Sequence, residues 1–325
     1  MSRIIPRPLY MDRVKPFINK DLVKVFTGQR RVGKSYLMQE VKEFLEQQAD
    51  PPTIIYVNKE RYEFDAIKTY ADLIDYVHQH ASEGNNALFV DEIQDIDEFE
   101  RALRSLNAEE RFDIYCTGSN ANLLSSELST LLAGRSIEIH VFALTYPEFL
   151  TFHDLEHSED TLRLYLRYGG LPYLRHLELS DEIVFDYLRN IYQTILYRDI
   201  VARHQVRNCD LLERLEAFLS DNVGSRVSAK RISDFLTSQH FKNSPRVVLD
   251  YINHLIEACF VYQVPRYDIK GKKIFEVNEK YYFGDLGVRN AIGGYQPGDI
   301  NKVLENVVYH HLRTQGYTVK VGELG

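Results

Sequence analysis

The sequence predicts an α/β domain built on a parallel sheet. A helical segment, a winged helix-turn-helix and an incomplete α/β piece follow it. Three observations predict this order. Short apolar runs alternate with helical patterns over residues 1–144, the signature of a parallel sheet covered on both faces. A Gly-x-x-x-x-Gly-Lys-Ser segment joins one of those runs to a helix. Beyond residue 145 the pattern is helical until a hairpin near residues 260–277.

A chain of 325 residues is too long for one ordinary core, so two or three domains are expected. With 44% hydrophobic and 26% charged residues, the composition is that of a soluble globular protein. No apolar run approaches the roughly 20 residues that span a bilayer, so no membrane contact is expected. Met1–Tyr10 lacks the apolar core of a signal peptide. Cys116, Cys209 and Cys259 are far apart and show no metal spacing, which suits a reducing, cytoplasmic compartment. The net charge of −8 argues against a nucleic-acid coat protein, though not against one basic face.

The elements follow in order. A helix is expected near Tyr10–Asn19, then a strand over Leu22–Phe26 and the loop Gly28–Gly33. Tyr36, Leu37, Val41 and Phe44 recur at helical spacing after Lys34. Thr53–Val57 reads as a strand and Phe64–Ala81 as a helix. Ala87–Val90 is a buried strand ending in Asp91-Glu92. A helix near Glu98–Leu106 leads to the strand Phe112–Thr117, the turn Gly118-Ser119-Asn120, another helix, and the strand Ile137–Leu144. Thr145–His204 is mostly helical, broken at Tyr168-Gly169-Gly170-Leu171-Pro172. Helices near Leu211–Asp221, Ala229–Leu236 and Arg246–Ala258 precede the hairpin Phe260–Tyr267 and Lys273–Val277, an order that suits a winged helix. The expected divisions are 1–144, 145–207, 208–284 and 285–325.

A strand, Gly28-Gln29-Arg30-Arg31-Val32-Gly33-Lys34-Ser35 and a helix form the context of a phosphate-binding loop. Its backbone N–H groups, with that of Tyr36, would close around ATP phosphates at the positive end of the helix. Lys34 would reach the β- and γ-phosphates, and Ser35 would offer its hydroxyl to Mg²⁺. Asp91 would complete the Mg²⁺ shell, and Glu92 would polarise the attacking water; the other reading of this pair is a cap for the next helix. Asn120, or second Ser119, would sense the γ-phosphate, unless both only bond their own turn. Arg135 is either an arginine finger, within the chain or across a subunit contact, or a solvated arginine at a strand entry. Arg30 and Arg31 would touch phosphate or a neighbouring acid.

These motifs resemble the AAA+-like branch of P-loop ATPases. Nearly the whole chain resembles a prokaryotic family that joins an AAA-type ATPase domain to a C-terminal domain of unknown function. The likeness rests on the phosphate loop, Phe89-Val90-Asp91-Glu92-Ile93-Gln94, Thr117-Gly118-Ser119-Asn120, Leu132-Ala133-Gly134-Arg135 and Tyr168-Gly169-Gly170-Leu171-Pro172. Tyr197-Arg198-Asp199-Ile200, Val248-Leu249-Asp250-Tyr251-Ile252 and Tyr281-Tyr282-Phe283-Gly284-Asp285-Leu286-Gly287 extend it. The resemblance implies an ASCE- or AAA-like sheet, Mg²⁺-dependent ATP hydrolysis, and a nuclease-like end whose first acidic residue lies in Leu304-Glu305-Asn306. The family's next strand, with an acidic pair and often a lysine, is missing from these 325 residues, so no nuclease activity is expected of them. AAA+ relatives often form rings, which leaves oligomerisation open; the sequence itself carries no mark of one.

Between Gly224 and Lys273 there are nine basic and four acidic residues, against a chain that is acidic overall. Arg246 opens the expected recognition helix, and Lys270, Lys272 and Lys273 lie on the expected wing, where a winged helix meets DNA phosphate. A winged helix used only for packing or a protein partner is the competing reading. His153 and His157 lack a third ligand and read as a surface pair. Two functions remain: an ATP-driven switch or motor, and a slow-turnover nucleotide-dependent DNA-binding or scaffold protein.

Overall fold

The computed structural model describes residues 4–124, 132, 134–267 and 274–322. Two compact units emerge. One comprises the chain up to Gly28 with Gly33–Val141; the other comprises Gln29–Val32 with the chain from Phe142 onward.

The first unit opens with α1 (Pro8–Val14), α2 (Lys34–Glu46), α3 (Tyr70–His80) and α4 (Phe99–Asn107) around a five-stranded sheet. Its strands are β1 (Val23–Thr27), β2 (Thr53–Asn58), β3 (Asn86–Asp91), β4 (Phe112–Thr117) and β5 (Ser136–His140). All pairings are parallel, in the order β2-β3-β4-β1-β5. The central strands β1, β3 and β4 are buried at every residue, as a sheet covered on both faces requires. Leu73, Val77, Ala102, Leu103 and Leu106 pack with Val57, Val90 and Ile114 in one core. An ion pair buried in the middle of this apolar sheet joins Lys24 to Asp113, with Tyr115 donating to the same carboxylate. Burial lowers the Lys24 pKa against the pull of Asp113.

Two expectations shift here. The helix expected from Phe64 starts at Tyr70, because Thr69 and Asp72 form a reciprocal capping box; Ile67 is buried from the loop before it. The strand expected to reach Leu144 stops at His140. Ala121–Leu124 makes a short 3-10 turn, and the helix expected after Asn120 otherwise lies largely outside the described residues.

In the second unit, α5 (Tyr146–His153), α6 (Glu159–Tyr168) and α7 (Asp181–Thr194) are followed by a π-helical stretch, Ile195–Ala202. Then come α8 (Cys209–Asp221), β6 (Arg226–Val227), α9 (Ala229–Ser238), α10 (Pro245–Glu257), β7 (Val261–Tyr267), β8 (Ile274–Phe283), α11 (Leu286–Gly293), α12 (Ile300–Thr314) and β9 (Val321–Gly322). The return strand runs six residues past the expected Val277, and it pairs with both β6 and β7. β9 pairs with β7 in the same sheet, so residues beyond Asp285 are part of this unit. The expected turn at Asp268–Lys272 lies outside the described residues, and so do Lys270, Lys272 and Lys273.

The break at Gly169-Gly170 has a tertiary cause. Gly169 has φ +77°, and an added Cβ would lie 2.4 Å from the Gly287 nitrogen. Asp285, itself buried, accepts N–H bonds from Gly170 (2.7 Å) and from Val288 (2.9 Å) at the start of α11. Asn290 closes the other side by donating to the carbonyls of Leu166 and Arg167 at the end of α6. Two segments more than a hundred residues apart thus form one knot. Glu305 and Asn306 are likewise engaged: Lys280 and Tyr282 bond Glu305, and Asn306 pairs both ways with the Phe283 backbone. Among the described residues, no helix is long and apolar enough to cross a membrane.

Candidate functional site

The site lies at the carboxyl ends of β1, β3 and β4, where parallel α/β sheets place ligands. The register makes it. Phe26 pairs with Thr117, and Val90 with Cys116, so Asp91 and Thr117 end level and Thr27 ends one residue beyond them. β4 lies between β1 and β3, which brings Thr117 beside Asp91.

β1 turns at Gly28, where φ is +136° and an added Cβ would sit 2.2 Å from the Val141 carbonyl oxygen. Only glycine satisfies both constraints. Gly33 caps α2, whose first turn carries Lys34 and Ser35, so the helix opens on the loop with its positive end. Lys34 is buried and donates to the Gly28 carbonyl at 2.9 Å, curled inside its own loop. Arg31 is exposed with φ +69°, and Tyr36 is exposed on α2.

Asp91 is 2% exposed. Its Oδ1 accepts from the Ser35 hydroxyl at 3.0 Å and from the Thr117 hydroxyl; its Oδ2 accepts from Asn58 Nδ2 at 3.3 Å. Burial raises the Asp91 pKa, and the Thr117 and Ser35 hydrogen bonds counter it. Glu92 sits in the left-handed region at φ 56°, its N–H bonded to the Thr117 hydroxyl at 2.9 Å and its carboxylate accepting from Gln94. Thr117 therefore links the two acids. Ser119 Oγ is buried and bonded to nothing among the described residues, whereas Asn120 is half-buried.

The structure places two arginines. Arg30 makes a two-pronged ion pair with Asp199, Nε to Oδ2 at 2.8 Å and Nη2 to Oδ1 at 2.9 Å, both side chains buried. Its side chain thus meets an acid, one of the two contacts expected of it. Arg135 is exposed, and its carbonyl accepts the N–H of Val23, at the opposite end of β1 from Gly28. Five strand residues separate those ends, about 16 Å. The Arg135 backbone therefore lies at the far end of β1 from the phosphate loop.

Thr117 and Asn58 escaped the sequence reading as site residues. Thr117 stood in a quoted motif whose interest lay two and three residues later. Asn58 ends β2 opposite Asp91, a register that only the folded sheet reveals. Asp199 lies 169 residues from Arg30, and no spacing announces the pair.

Residues 20–150 match the family profile of an AAA domain, and residues 159–299 match that of a domain of unknown function, DUF8612. An uncharacterized protein of Haemophilus influenzae is 33% identical over 329 residues, covering 99% of this chain and 82% of the relative. The chain belongs to that protein's family. A second uncharacterized relative, from Methanocaldococcus jannaschii, is 28% identical over 97% of this chain and 71% of its own length. This family member carries an AAA-type P-loop domain in its first half. Among solved structures, an Aeropyrum pernix ORC1 protein in complex with DNA overlaps 89% of this chain and 93% of its own at 15% identity and a TM-score of 0.39. The Aquifex aeolicus replication initiator DnaA bound to AMPPCP overlaps 78% and 90% at 14% identity and 0.38. Scores this low carry no inference about this chain.

Proposed function

We propose that this protein binds ATP with Mg²⁺ and hydrolyses it. The observation that carries the reading is the cluster of Ser35, Asp91 and Thr117 beside the loop. Two hydroxyls and a carboxylate converge there at the strand ends, with Lys34 buried one residue away. These are the hard oxygen donors that Mg²⁺ takes. Ser35 and Asp91 would hold the ion, whose chemistry is to neutralise charge on the phosphates. Lys34 would leave the Gly28 carbonyl for phosphate oxygen, and the loop backbone from Gly28 to Ser35, with the N–H of Tyr36, would surround the phosphates. Glu92 would take the proton of the attacking water, with Thr117 orienting its backbone. Asn120 or Ser119 would sense the γ-phosphate, and Arg135 is left with a role across a subunit contact.

Arg30 gives the loop an output. Gln29–Val32 group with the second unit, so a loop that reshapes around phosphate would pull on Asp199 in the π-helical stretch. π-helical turns recur at functional sites because they aim side chains a regular helix cannot.

The element order α8, β6, α9, α10, β7, β8, with sheet order β6-β8-β7, supports a winged helix between residues 208 and 284. Arg246 is exposed at the start of α10, as phosphate contact would need. The DNA-binding reading is tested by affinity across a salt series, with Arg246→Ala and a triple alanine variant of Lys270, Lys272 and Lys273. A slope against salt that none of these changes reduces would remove it. Steady-state hydrolysis by the wild type, Lys34→Ala and Glu92→Gln tests the ATPase. A rate that neither substitution lowers removes it, and a slow rate lowered by both favours the switch or scaffold reading over a motor.

A further inference from the structure

A second constellation lies apart from the nucleotide site, inside the second unit. α10 presents His254 and, three residues on, Glu257, which places both on one side of the helix. His204, two residues past the π-helical stretch, meets them. Its Nε2 is 3.4 Å from Glu257 Oε2, and its ring stacks on that of His254 with centroids 4.0 Å apart. One ligand atom from each of the three residues lies within 4.8 Å of the others, and none of the three is more than partly exposed.

The nitrogens at this point have no use in the fold. His204 Nε2 and His254 Nδ1 are both buried and neither makes a hydrogen bond among the described residues. An unsatisfied buried ring nitrogen costs free energy, and two side by side are unusual. Two imidazoles side by side, with a carboxylate at their edge, form a donor set.

We propose that His204, His254 and Glu257 form a binding site for a divalent transition-metal ion of the Zn²⁺ class. Two imidazoles and one carboxylate suit zinc, whereas Mg²⁺ and Ca²⁺ prefer sites made wholly of oxygen. Zinc–nitrogen bonds of about 2.0–2.1 Å at a tetrahedral angle set the ligand atoms about 3.4 Å apart. The 3.4 Å between His204 and Glu257 already meets that spacing. The stacked rings would splay to aim both nitrogens at one point. Arg203 is the nearby cation that opposes an ion, and the Glu257 carboxylate offsets it. Three protein ligands leave one position for water or a partner's side chain. The ion would brace α10 against the end of the helix that carries Asp199.

The test is calorimetric titration of the full chain with Zn²⁺ in millimolar Mg²⁺, which occupies oxygen sites and does not compete for imidazole. One Zn²⁺ per chain is expected. Loss of a partner outside the ligand set commonly costs 10–100-fold in affinity, so His204→Gln, His254→Gln and Glu257→Gln should each weaken binding by more than about 100-fold for a true ligand. Co²⁺ should give the visible spectrum of a tetrahedral site in the wild type and lose it in each variant. Carbethoxylation of the unsubstituted protein, read by mass spectrometry, needs no variant to fold; Zn²⁺ should protect His204 and His254. No stoichiometric uptake overturns the proposal, as does uptake that survives all three substitutions or leaves both histidines unprotected.

Discussion

Two buried aspartates divide this molecule between them. Asp91 in the first unit and Asp285 in the second are 2% and 3% exposed, and burial raises both pKa values. Their partners differ. Side chains satisfy Asp91: the hydroxyls of Ser35 and Thr117 and the amide of Asn58. Backbone N–H groups of Gly170, Gly287 and Val288 satisfy Asp285. A hydroxyl can rotate away and give its oxygen to a metal ion. A backbone N–H can only be given up by moving the chain. The first carboxylate is ready to exchange its partners, and the second is part of the architecture.

Substitutions should separate the two. The largest effect expected is on chemistry: Asp91→Asn, which keeps an acceptor oxygen for Ser35 and Thr117, should lower ATP hydrolysis by about 100-fold or more while the melting temperature changes little. Asp285→Ala should do the reverse, costing about 3 kcal/mol by leaving three buried N–H groups without an acceptor. Activity assays and denaturant unfolding of both variants check this; equal losses of stability would break the comparison.

The pH dependence sharpens it. The Asp285 pKa is pushed up to about 6 from 3.8, so the folded state prefers its protonated form. That stability is complete below the unfolded value near 3.8 and is lost as pH rises through about 6, a change of about 3 kcal/mol. Asp285→Asn, which does not titrate, should flatten that slope of unfolding free energy between about pH 4 and 6. Thr117→Val is the mildest test. It removes one hydroxyl from Asp91 and from the Glu92 N–H, and should cost about 1–2 kcal/mol and roughly tenfold in hydrolysis. An unchanged rate would show that Thr117 serves packing alone.

Much of the first unit was legible because its central strands are short, continuously apolar and bounded by turns. Lys24 and Asp113 interrupt them, but they neutralise each other across β1 and β4. The strand-end positions of the phosphate loop, Asp91 and Glu92 were legible because each directly follows an apolar strand run in the sequence. Legibility failed where partners are distant. The role of Asp199 needs a π-helical turn and a contact across 169 residues. The place of Arg135 was hidden for a similar reason: its motif precedes a strand, and strand direction, invisible until the sheet is assembled, carries it to the far end of β1. The start of α3 was misplaced although its signal was present. Thr69-x-x-Asp72 is a capping pattern, and the apolar periodicity of Phe64 and Ile67 outweighed it.

Glu92 carries a further consequence. Its backbone sits at φ 56°, a conformation that costs an ordinary residue roughly 1–2 kcal/mol and glycine almost nothing. Stability alone would therefore drive this position towards glycine or asparagine, and on the proposed function turnover would keep a carboxylate there. Position 92 then becomes a record of use across the family. A lineage that still needs the nucleotide as a conformational signal, but no longer consumes it, is free to let the residue drift. Glycine there, beside an intact Lys34 and Asp91, would mark a member that binds and waits.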